Sequence, residues 1–322
     1  MNTVLVGAGY WGKNFIRIMK NSDNVFDLKY IVDPKEEFSA YTCYKNISEI
    51  EKNIEDIDCA VICTPTQTHT EIVKFFLENK IHVLVEKPLT TSKKEAEMLF
   101  SIAKNNNVTL LTDHTFLYNS SIKYLKNLIE NNELGDILHC SFERTNLGPI
   151  RTDVSCLWDL ATHDVSIVNA LIDDNLINVD AGGFSKNKNG IQDVVNFSLG
   201  YDKCFISVLA SWLHPEKSRK IKIVGSKKMV IFDDLNINEP IKIYDKKIED
   251  ISSKVTNYGS IFSFSIGDVL IPFIELDEPL TQVISDFESR VLNNEPKNLL
   301  NTEELTVNTI SILEKVENLI EQ

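Results

Sequence analysis

The first third of the chain alternates short apolar runs with segments of helical period. The runs that predict strands are TVLVGA, LKYIVD, DCAVICT, IHVLVE and NVTLLTD. Between them, apolar residues recur every three or four positions, which indicates helices, in WGKNFIRIMKN, ISEIEKNIED, HTEIVKFFLENK and TSKKEAEMLFSIAKNN. In the last of these, Ser92 and Glu95 have the spacing of a capping box. Apolar strands alternating with helices predict a doubly wound parallel sheet covered on both faces.

The pattern changes after about residue 118. One helix, SSIKYLKNLIENNEL, one strand, DILHCSFERTNL, and a helix around 157–172 come first. Strand candidates then follow one another: NVDAGGFSK, DVVNFSLGYD, CFISVLASWLH, KIKIVGSKKMVIFDD and IKIYDK. Two helical patterns close the chain, near 279–293 and 302–321. Consecutive strands indicate a mostly antiparallel sheet. We therefore predict an α/β protein with two domains, 1–118 and 119–322 (a second, α+β domain).

Composition narrows the class of protein. The chain has 322 residues, of which 43% are hydrophobic and 25% charged, as in ordinary globular enzymes. The formal net charge of −14 argues against nucleic acid as a partner, and any anionic ligand must be held by local donors. No stretch reaches the roughly twenty apolar residues of a membrane span. Six cysteines without a C-x-x-C pair predict reduced structural thiols in a cytoplasmic protein.

A glycine-rich turn follows the first predicted strand. Gly7, Gly9 and Gly12 in VLVGAGYWGKNF form G-x-G-x-x-G between a strand and a helix. The first glycine permits a tight turn, the second lets the backbone approach a pyrophosphate, and the third lets helix pack closely on strand. The helix N-terminus then offers N–H groups and a positive dipole end to phosphates. This arrangement predicts a dinucleotide site in a Rossmann domain.

An acidic residue at the end of the second strand supports this prediction. Asp33 in YIVDP stands where a carboxylate accepts hydrogen bonds from both adenosine ribose hydroxyls and repels a 2′-phosphate. Pro34 and Lys35 follow, with no arginine to accept NADP, so we predict NAD in preference to NADP. The alternative is a surface-turn aspartate before proline.

Lys87 is the first candidate for chemistry. It follows the fourth strand in VLVEKPLT, at the sheet edge where ligands bind in such folds. Partial burial beside a nicotinamide cation predicts a general base or acid. The alternative is a solvated lysine that closes a strand.

The helix LWDLATHDVSIVNALI supplies two more candidates. Asp159 and His163, four positions apart, are predicted to share the face opposite an apolar one. A histidine oriented by a carboxylate is suited to proton transfer near neutral pH. With Lys87 they would form an acid–base cluster, whereas the alternative is a solvated helix face.

These motifs, in order, resemble one family. GAGYWGKN, CTPTQTH, EKP, HTFLY, LWDLATHD, SWLHPEKSRKIKIVGSKKMVIFDD and DEPL make the chain similar to the glucose–fructose oxidoreductase, inositol dehydrogenase and MocA (Gfo/Idh/MocA) family of NAD(P)-dependent sugar oxidoreductases. The resemblance implies a Rossmann domain followed by a domain with a large open sheet, which often mediates homodimers or homotetramers. It implies Lys87 as the catalytic base or acid, with Asp159 and His163 beside it. The predicted cofactor residues are Gly7, Gly9, Tyr10, Trp11, Gly12, Asp33, Thr64, Pro65, His69, Glu86 and Lys87.

RTDVSCLWDLATHD resembles the branch found with sugar-nucleotide and surface-polysaccharide pathways. Its members include dehydrogenases that oxidise C3 of UDP-N-acetylglucosamine or the corresponding uronic acid, before a transaminase aminates the 3-keto product. Arg151 can hold a diphosphate or carboxylate, or be a surface-loop arginine. Tyr118 can stack on a sugar or uracil, or lie at the core edge. NNEPKNLLNTEEL stands where the family often has a glycine-rich stretch.

Several functions remain open at this point. No His, Cys and Asp cluster has metal-ligand spacing, so we predict no metal. The predicted reaction is NAD-dependent oxidation of a sugar ring hydroxyl, with C3 of a UDP-N-acetylhexosamine as the first candidate and lipid A or polysaccharide synthesis as the setting. The alternatives are a keto-sugar-nucleotide reductase, a uronate 3-dehydrogenase, a free cyclitol or aldose dehydrogenase, and a non-catalytic NAD-binding sensor.

Overall fold

The computed structural model describes residues 1–322 except 22–23, 37, 187–190, 251–261 and 322. It divides into two units. The first comprises Met1–Asn119, Val165–Ala170 and Asp277–Glu314. The second comprises Ser120–Asp164, Leu171–Leu276 and Lys315–Gln322. The break after Asn119 lies beside the boundary predicted from the sequence, whereas the return of 277–314 to the first unit has no counterpart in that prediction.

The first unit is built on six strands. They are β1 (Asn2–Val6), β2 (Asp27–Val32), β3 (Thr42–Tyr44), β4 (Cys59–Ile62), β5 (His82–Glu86) and β6 (Leu110–Asp113). All pair in parallel, in the order β3-β2-β1-β4-β5-β6. The chain winds in opposite directions on the two sides of β1, and such a switch point leaves a crevice at the carboxyl ends of the central strands. The predicted doubly wound sheet is confirmed.

Helices separate these strands along the chain. They are α1 (Tyr10–Asn21), α2 (Ile47–Ile50), α3 (His69–Glu78) and α4 (Lys93–Asn106). The predicted capping box of α4 is not formed. Ser92 is the N-cap residue but makes no side-chain cap hydrogen bond. The Oε2 atom of Glu95 instead accepts hydrogen bonds from the hydroxyls of Thr70, at 2.7 Å, and Thr90, at 2.5 Å.

The second unit carries one large sheet. After α5 (Ser120–Glu130) and β7 (Ile137–Leu147), a π-helical turn, Leu157–Ala161, leads into α6 (Thr162–Leu171). The remaining strands are β8 (Leu176–Phe184), β9 (Val194–Tyr201), β10 (Phe205–Ser211), β11 (Leu213–Gly225), β12 (Met229–Asp233), β13 (Ile241–Asp250) and β14 (Phe262–Leu270). The order is β14-β13-β12-β11-β7-β10-β9-β8, and β7 with β10 is the one parallel pair among the described strands of this sheet. The predicted large, mostly antiparallel sheet is confirmed.

Burial alternates along the central strands of this sheet. In β10, Ile206, Val208 and Ala210 are fully buried, whereas Phe205 keeps 47% of its surface exposed. Such alternation shows that one face of the sheet is packed on a core and the other is more open. The open face includes Phe205 and its register partner His139, whose rings stack with centroids 6.0 Å apart.

The two closing helices are α7 (Pro279–Asn293) and α8 (Glu303–Ile320), as predicted. A ring contact and an ion pair hold α7 in the first unit. Phe287 stacks on Phe26 with ring centroids 5.4 Å apart, and Glu278 forms an ion pair with Arg17. Among the described residues, no helix is long and apolar enough to cross a bilayer.

Candidate functional site

The glycine turn after β1 has distinct steric demands at its three glycines. Gly7 has a φ of +89°, and a Cβ there would lie 2.7 Å from the carbonyl group of Cys63. A Cβ on Gly12 would lie 2.1 Å from the carbonyl oxygen of Gly7. A Cβ on Gly9 would meet nothing within 4 Å. Gly7 and Gly12 are therefore required by the fold itself. Gly9 faces open space, so the chain there leaves room for a phosphate group of a ligand.

Helix α1 begins directly at this turn. Its first turn contains no acidic residue, so no side-chain charge there opposes an anion at the N-terminus. Tyr10 and Trp11 open the helix with 80% and 42% of their surfaces exposed. The start of α1 thus combines a positive dipole end with two exposed aromatic rings.

Asp33 follows β2 and is almost fully buried, at 8% exposure. Its Oδ2 accepts a hydrogen bond from the backbone N–H of Ala8 at 2.8 Å, and Oδ1 accepts from the N–H groups of Lys35 and Glu36, both at 2.8 Å. Burial raises the pKa of this carboxyl, but the three N–H bonds and the charge of Lys45 outweigh burial and lower it. A carboxylate has about four acceptor sites, so Asp33 mainly ties the glycine turn to β2 and retains little capacity for two ribose hydroxyls.

The turn after β4 carries three predicted cofactor residues. His69, at the start of α3, is 1% exposed. Its Nδ1 lies 2.9 Å from the carbonyl oxygen of Pro88, and its Nε2 lies 2.8 Å from that of Thr64. Pro65 lies between Thr64 and the 3-10 turn Thr66–Thr68. The ring therefore joins the Thr64 turn to the residue that follows Lys87.

The EKP segment lies at the carboxyl end of β5. Glu86 is 6% exposed, and its Oε2 accepts a hydrogen bond from the backbone N–H of Lys87 at 3.1 Å. Lys87 is half-buried, and the peptide bond between Lys87 and Pro88 is cis. Glu86 is thus a buried strand-end carboxyl rather than a residue that lines an open surface.

Sequence reasoning missed a second acid beside Glu86. Asp113 ends β6, is fully buried and pairs in register with Glu86 across the β5–β6 ladder. Burial raises its pKa to about 6, against the opposing effects of the Thr115 hydroxyl, the Lys87 charge and a hydrogen bond with Glu86. The signal was present in the sequence, because LLTDH ends in an acid as VLVEK does, on strands that a parallel sheet places side by side.

In the second unit, Asp159 lies in the π-helical turn that precedes α6. Its Oδ1 accepts from Arg151 Nη1 at 3.1 Å, and its Oδ2 accepts from Trp212 Nε1 at 3.3 Å. Arg151 also donates to both oxygens of Asp153, at 2.9 and 2.5 Å, and this bidentate pair lowers the pKa of Asp153. π-Helical turns inside helices are frequent at functional sites. The guanidinium predicted to bind substrate is therefore already paired with two carboxylates of its own chain.

His163 is the second residue of α6 and is half-buried. The next residue, Asp164, is 2% exposed and accepts from Arg144 Nη2 at 2.8 Å and Nε at 3.0 Å. This buried ion pair anchors the first turn of α6 to β7. The sequence predicted Asp159 and His163 on one helix; the structure places them on either side of the junction between the π-helical turn and α6.

Tyr118 lies in the core of the first unit, at 1% exposure. Its hydroxyl donates to Asp286 at 2.7 Å and accepts from Asn301 Nδ2 at 3.0 Å. The placement matches the core alternative for this tyrosine and leaves no exposed ring face for a sugar or uracil. Among the described residues, no group of three or more His, Cys, Asp or Glu side chains is arranged to hold a metal ion.

Comparisons with known proteins agree with this fold. The 2,7-anhydro-N-acetylneuraminate hydratase of Escherichia coli strain K12 is 28% identical over 148 residues, which cover 45% of this chain and 40% of that protein. The UDP-N-acetylglucosamine 3-dehydrogenase of Acidithiobacillus ferrooxidans is 22% identical over 246 residues, covering 73% and 75%. The chain spans about two fifths to three fifths of the first curated relatives that it matches.

Two solved structures have the same fold over nearly their whole length. The A. ferrooxidans dehydrogenase superposes with a TM-score of 0.79 at 19% identity, covering 100% of this chain and 98% of that one. GenD2 from gentamicin A biosynthesis, in complex with NAD, gives a TM-score of 0.81 at 20% identity, covering 100% and 94%. At these identities the likeness establishes the fold.

Two models of one family match consecutive stretches of the chain. Residues 1–114 match the Gfo/Idh/MocA model described as an oxidoreductase family with an NAD-binding Rossmann fold, and residues 122–231 match a C-terminal domain model of the same family. Together they cover more than two thirds of the sequence. The protein therefore belongs to the Gfo/Idh/MocA family of oxidoreductases and carries its NAD-binding Rossmann fold at the N-terminus.

Proposed function

We propose that this protein is an NAD-dependent dehydrogenase that oxidises a ring hydroxyl of a sugar, with C3 of a UDP-N-acetylhexosamine as its substrate position. The observation that carries the proposal is the placement of Lys87 at the carboxyl end of β5, on the same sheet edge as the glycine turn after β1. An amine there lies where ligands bind in doubly wound sheets. The 3-dehydrogenase relative supports the choice of substrate.

The first unit fits a dinucleotide on its own geometry. Gly9 leaves open space, and the N-terminus of α1 directs N–H groups toward an anion. The ionised carboxylate of Asp33 repels a 2′-phosphate, which supports NAD over NADP. When bound, NAD supplies the acceptor for the hydride that leaves the carbinol carbon.

We assign the proton transfer to Lys87. As a free amine it accepts the proton of the hydroxyl under oxidation, and the developing carbonyl oxygen keeps the bonding electrons. By family resemblance, Asp159 and His163 serve the same reaction. Arg151 and Trp212 hold both oxygens of Asp159, which supports a fixed carboxylate in that role.

A single-turnover experiment tests the proposal. Concentrated protein loaded with NAD⁺ is mixed with UDP-N-acetylglucosamine while reduced-nicotinamide fluorescence is followed. Wild type and the exposed-lysine control Lys94→Ala should give a burst, and Lys87→Ala should give none while still binding NAD⁺. A single turnover is needed because oxidation to a ketone is uphill and leaves little product at steady state.

The outcome also separates the alternatives. Tight NAD⁺ binding without a burst overturns the UDP-N-acetylglucosamine assignment and moves the test to uronate, keto-sugar-nucleotide, cyclitol and aldose substrates. A burst that persists in Lys87→Ala overturns the role of the lysine. Failure of every sugar substrate, with NAD⁺ bound, favours a sensor.

We further propose that the protein forms a homodimer or homotetramer through the open face of the second unit's sheet. Phe205 is 47% exposed on this face and stacks on His139 of β7 with ring centroids 6.0 Å apart, and exposed apolar surface on a sheet favours association. Light scattering after gel filtration of wild type and Phe205→Glu tests this, since a monomer in both cases would refute it.

A further inference from the structure

Trp212 lies between two strands of the second unit's sheet, directly after β10 and before β11. It is 1% exposed. Its backbone N–H donates to the carbonyl oxygen of Asp193 at 2.9 Å, and its own carbonyl oxygen accepts from the N–H of Gly148 at 3.0 Å. Because both main-chain groups are bonded and the side chain is buried, the indole ring has one well-defined place in the unit.

The indole N–H of Trp212 contacts the carboxylate of Asp159. Nε1 donates to Oδ2 at 3.3 Å, whereas Oδ1 accepts from Arg151 Nη1 at 3.1 Å. The two donors come from different parts of the chain, the junction of β10 with β11 and the loop after β7. Since each oxygen has its own donor, both bonds are kept in only one orientation of the carboxylate. The Asp159 side chain is still 19% exposed, so it is held without being closed off from a ligand.

The two donors differ in charge. Arg151 is a cation, and it also donates to both oxygens of Asp153, at 2.9 and 2.5 Å. Arg151, Asp153 and Asp159 together carry one net negative charge when both carboxylates are ionised. The indole of Trp212 is a neutral donor that does not titrate. Its bond therefore holds Asp159 and leaves that negative charge in place.

We infer that Trp212 is a positioning residue for Asp159: its indole N–H fixes the orientation of the carboxylate without neutralising it. The inference rests on the proposed function, in which Asp159 and His163 serve the proton transfer. A carboxylate held by Arg151 alone could turn about its Cβ–Cγ bond, where an aspartate has only broad preferences. A displacement of about 1 Å in a reacting group can slow a reaction about a hundredfold.

The effect of the bond can be measured without substrate or cofactor. Protein labelled with ¹³C at the aspartate carboxyl carbons is titrated by NMR, and the Asp159 signal is identified by its loss in Asp159→Asn. Trp212→Phe keeps an aromatic ring and removes the N–H. The ionised carboxylate then loses a donor, so its titration midpoint should rise by about half a unit or more.

The chain offers a matched control for this substitution. Trp158 is also buried, at 2% exposure, and its Nε1 donates to another carboxylate, that of Glu317, at 2.8 Å. Trp158→Phe should leave the Asp159 midpoint unchanged. An unchanged midpoint in Trp212→Phe would overturn the inference. An equal rise in both variants would overturn it as well, because loss of ring volume would then explain the effect.

A second measurement leaves the buried indole in place. With ¹⁵N-labelled tryptophan, the three tryptophans of the chain give three indole N–H signals. In Asp159→Asn the Trp212 signal should shift, because its acceptor loses the charge, and the Trp158 signal should not. A Trp212 signal that is the same in wild type and Asp159→Asn would contradict the bond.

The role in the reaction is measured by separating rate from binding. In the single-turnover assay, Trp212→Phe should slow the burst about tenfold or more and change the half-saturating substrate concentration less than about twofold. Trp158→Phe should change neither. A raised half-saturating concentration with an unchanged burst rate would place Trp212 in substrate binding and overturn the positioning role. Since the two NMR measurements use no sugar, failure of every sugar substrate would disprove the proposed function and leave their result on the carboxylate standing.

Discussion

Replacement of His114 by glutamine should remove much of the acid sensitivity of the first unit. His114 follows β6, is 1% exposed, and has Nε2 placed 3.2 Å from the Thr306 hydroxyl. Burial first, and the charge of Lys87 second, lower its pKa to about 3. In the unfolded chain a histidine titrates near about 6.5. The folded protein therefore excludes a proton that the unfolded chain binds.

The sign and size of the effect follow from proton linkage. The stabilisation is fully present above about pH 6.5 and is lost as the pH falls toward about 3, at about 1.4 kcal/mol per pH unit. Wild type should therefore lose about 3 kcal/mol through His114 between about pH 7 and about pH 4.5. Glutamine does not titrate and can still bond to Thr306, so the variant should lose none of this amount.

Neighbouring Asp113 titrates in part of the same range with the opposite sign. Its pKa is raised to about 6, so the folded protein holds a proton that the unfolded chain releases, and stability falls as the pH rises through this window. The two effects partly cancel in wild type. The difference between wild type and His114→Gln isolates the histidine, because Asp113 is present in both.

The assay must report on the first unit alone. Urea unfolding followed by pulsed hydrogen exchange of the β5 and β6 peptides does so, and His139→Gln in the second unit is the control. The variant should be less stable than wild type by a fixed packing term at neutral pH, and this deficit should shrink or reverse toward about pH 4.5. Parallel profiles for the two proteins would refute the reasoning.

Four further substitutions have distinct expected results. Gly9→Ala should leave the melting temperature unchanged and weaken the affinity for NAD, measured by titration, at least about tenfold. Gly12→Ala should instead lower the free energy of unfolding by about 1–3 kcal/mol. Equal effects of the two substitutions would contradict the glycine geometry. Tyr118→Phe should cost about 1–3 kcal/mol, since Asp286 loses a donor, with kcat and KM unchanged; a raised KM would restore a substrate role. Arg151→Gln should lower kcat more than it changes KM if the guanidinium holds Asp159, and the reverse split would show that it binds substrate.

Much of the fold was predictable because its signals are local. A buried parallel strand needs only a short apolar run, and its helix only a period of three to four, so the sheet of the first unit followed from the sequence. Strand β14 and the three residues of β3 were missed. The sequence FSFSIGDVL has only a partial alternation of apolar and polar residues, and TCY is too short for any period.

The return of the C-terminal segment to the first unit was not predictable from these signals. It depends on side chains far apart in sequence, such as Phe26 on Phe287 and the Tyr118 hydroxyl on Asp286. Asn298 adds a bond from its Nδ2 to the carbonyl oxygen of Leu117 at 3.0 Å. No periodicity in the segment 277–314 encodes such partners, and a helix at the end of the chain gives no sign of the unit on which it packs.

Local sequence signals likewise identify part of the candidate site, and the rest depends on contacts between residues far apart in sequence. Motif spacing found the glycine turn, Asp33 and Lys87, because each depends on its position at a strand end. It missed Asp113, which is 27 positions from Glu86 in sequence and becomes its neighbour only when β5 pairs with β6. It also assigned Arg151 to the substrate, since the two carboxylates that hold the guanidinium could not be identified from sequence.

At the carboxyl edge of the first unit's sheet, the local charge differs from what the acidic composition suggests. The chain has a formal charge of −14, and three of its acids, Asp33, Glu86 and Asp113, lie where an anionic cofactor would bind. Asp33 is offset by three backbone N–H groups. The charge of Lys87 acts on Asp113 and offsets part of the charge of the other two. The charge at the crevice is therefore less negative than a count of carboxyl groups implies. The N-terminus of α1 can then attract a pyrophosphate in a protein whose overall charge would repel it.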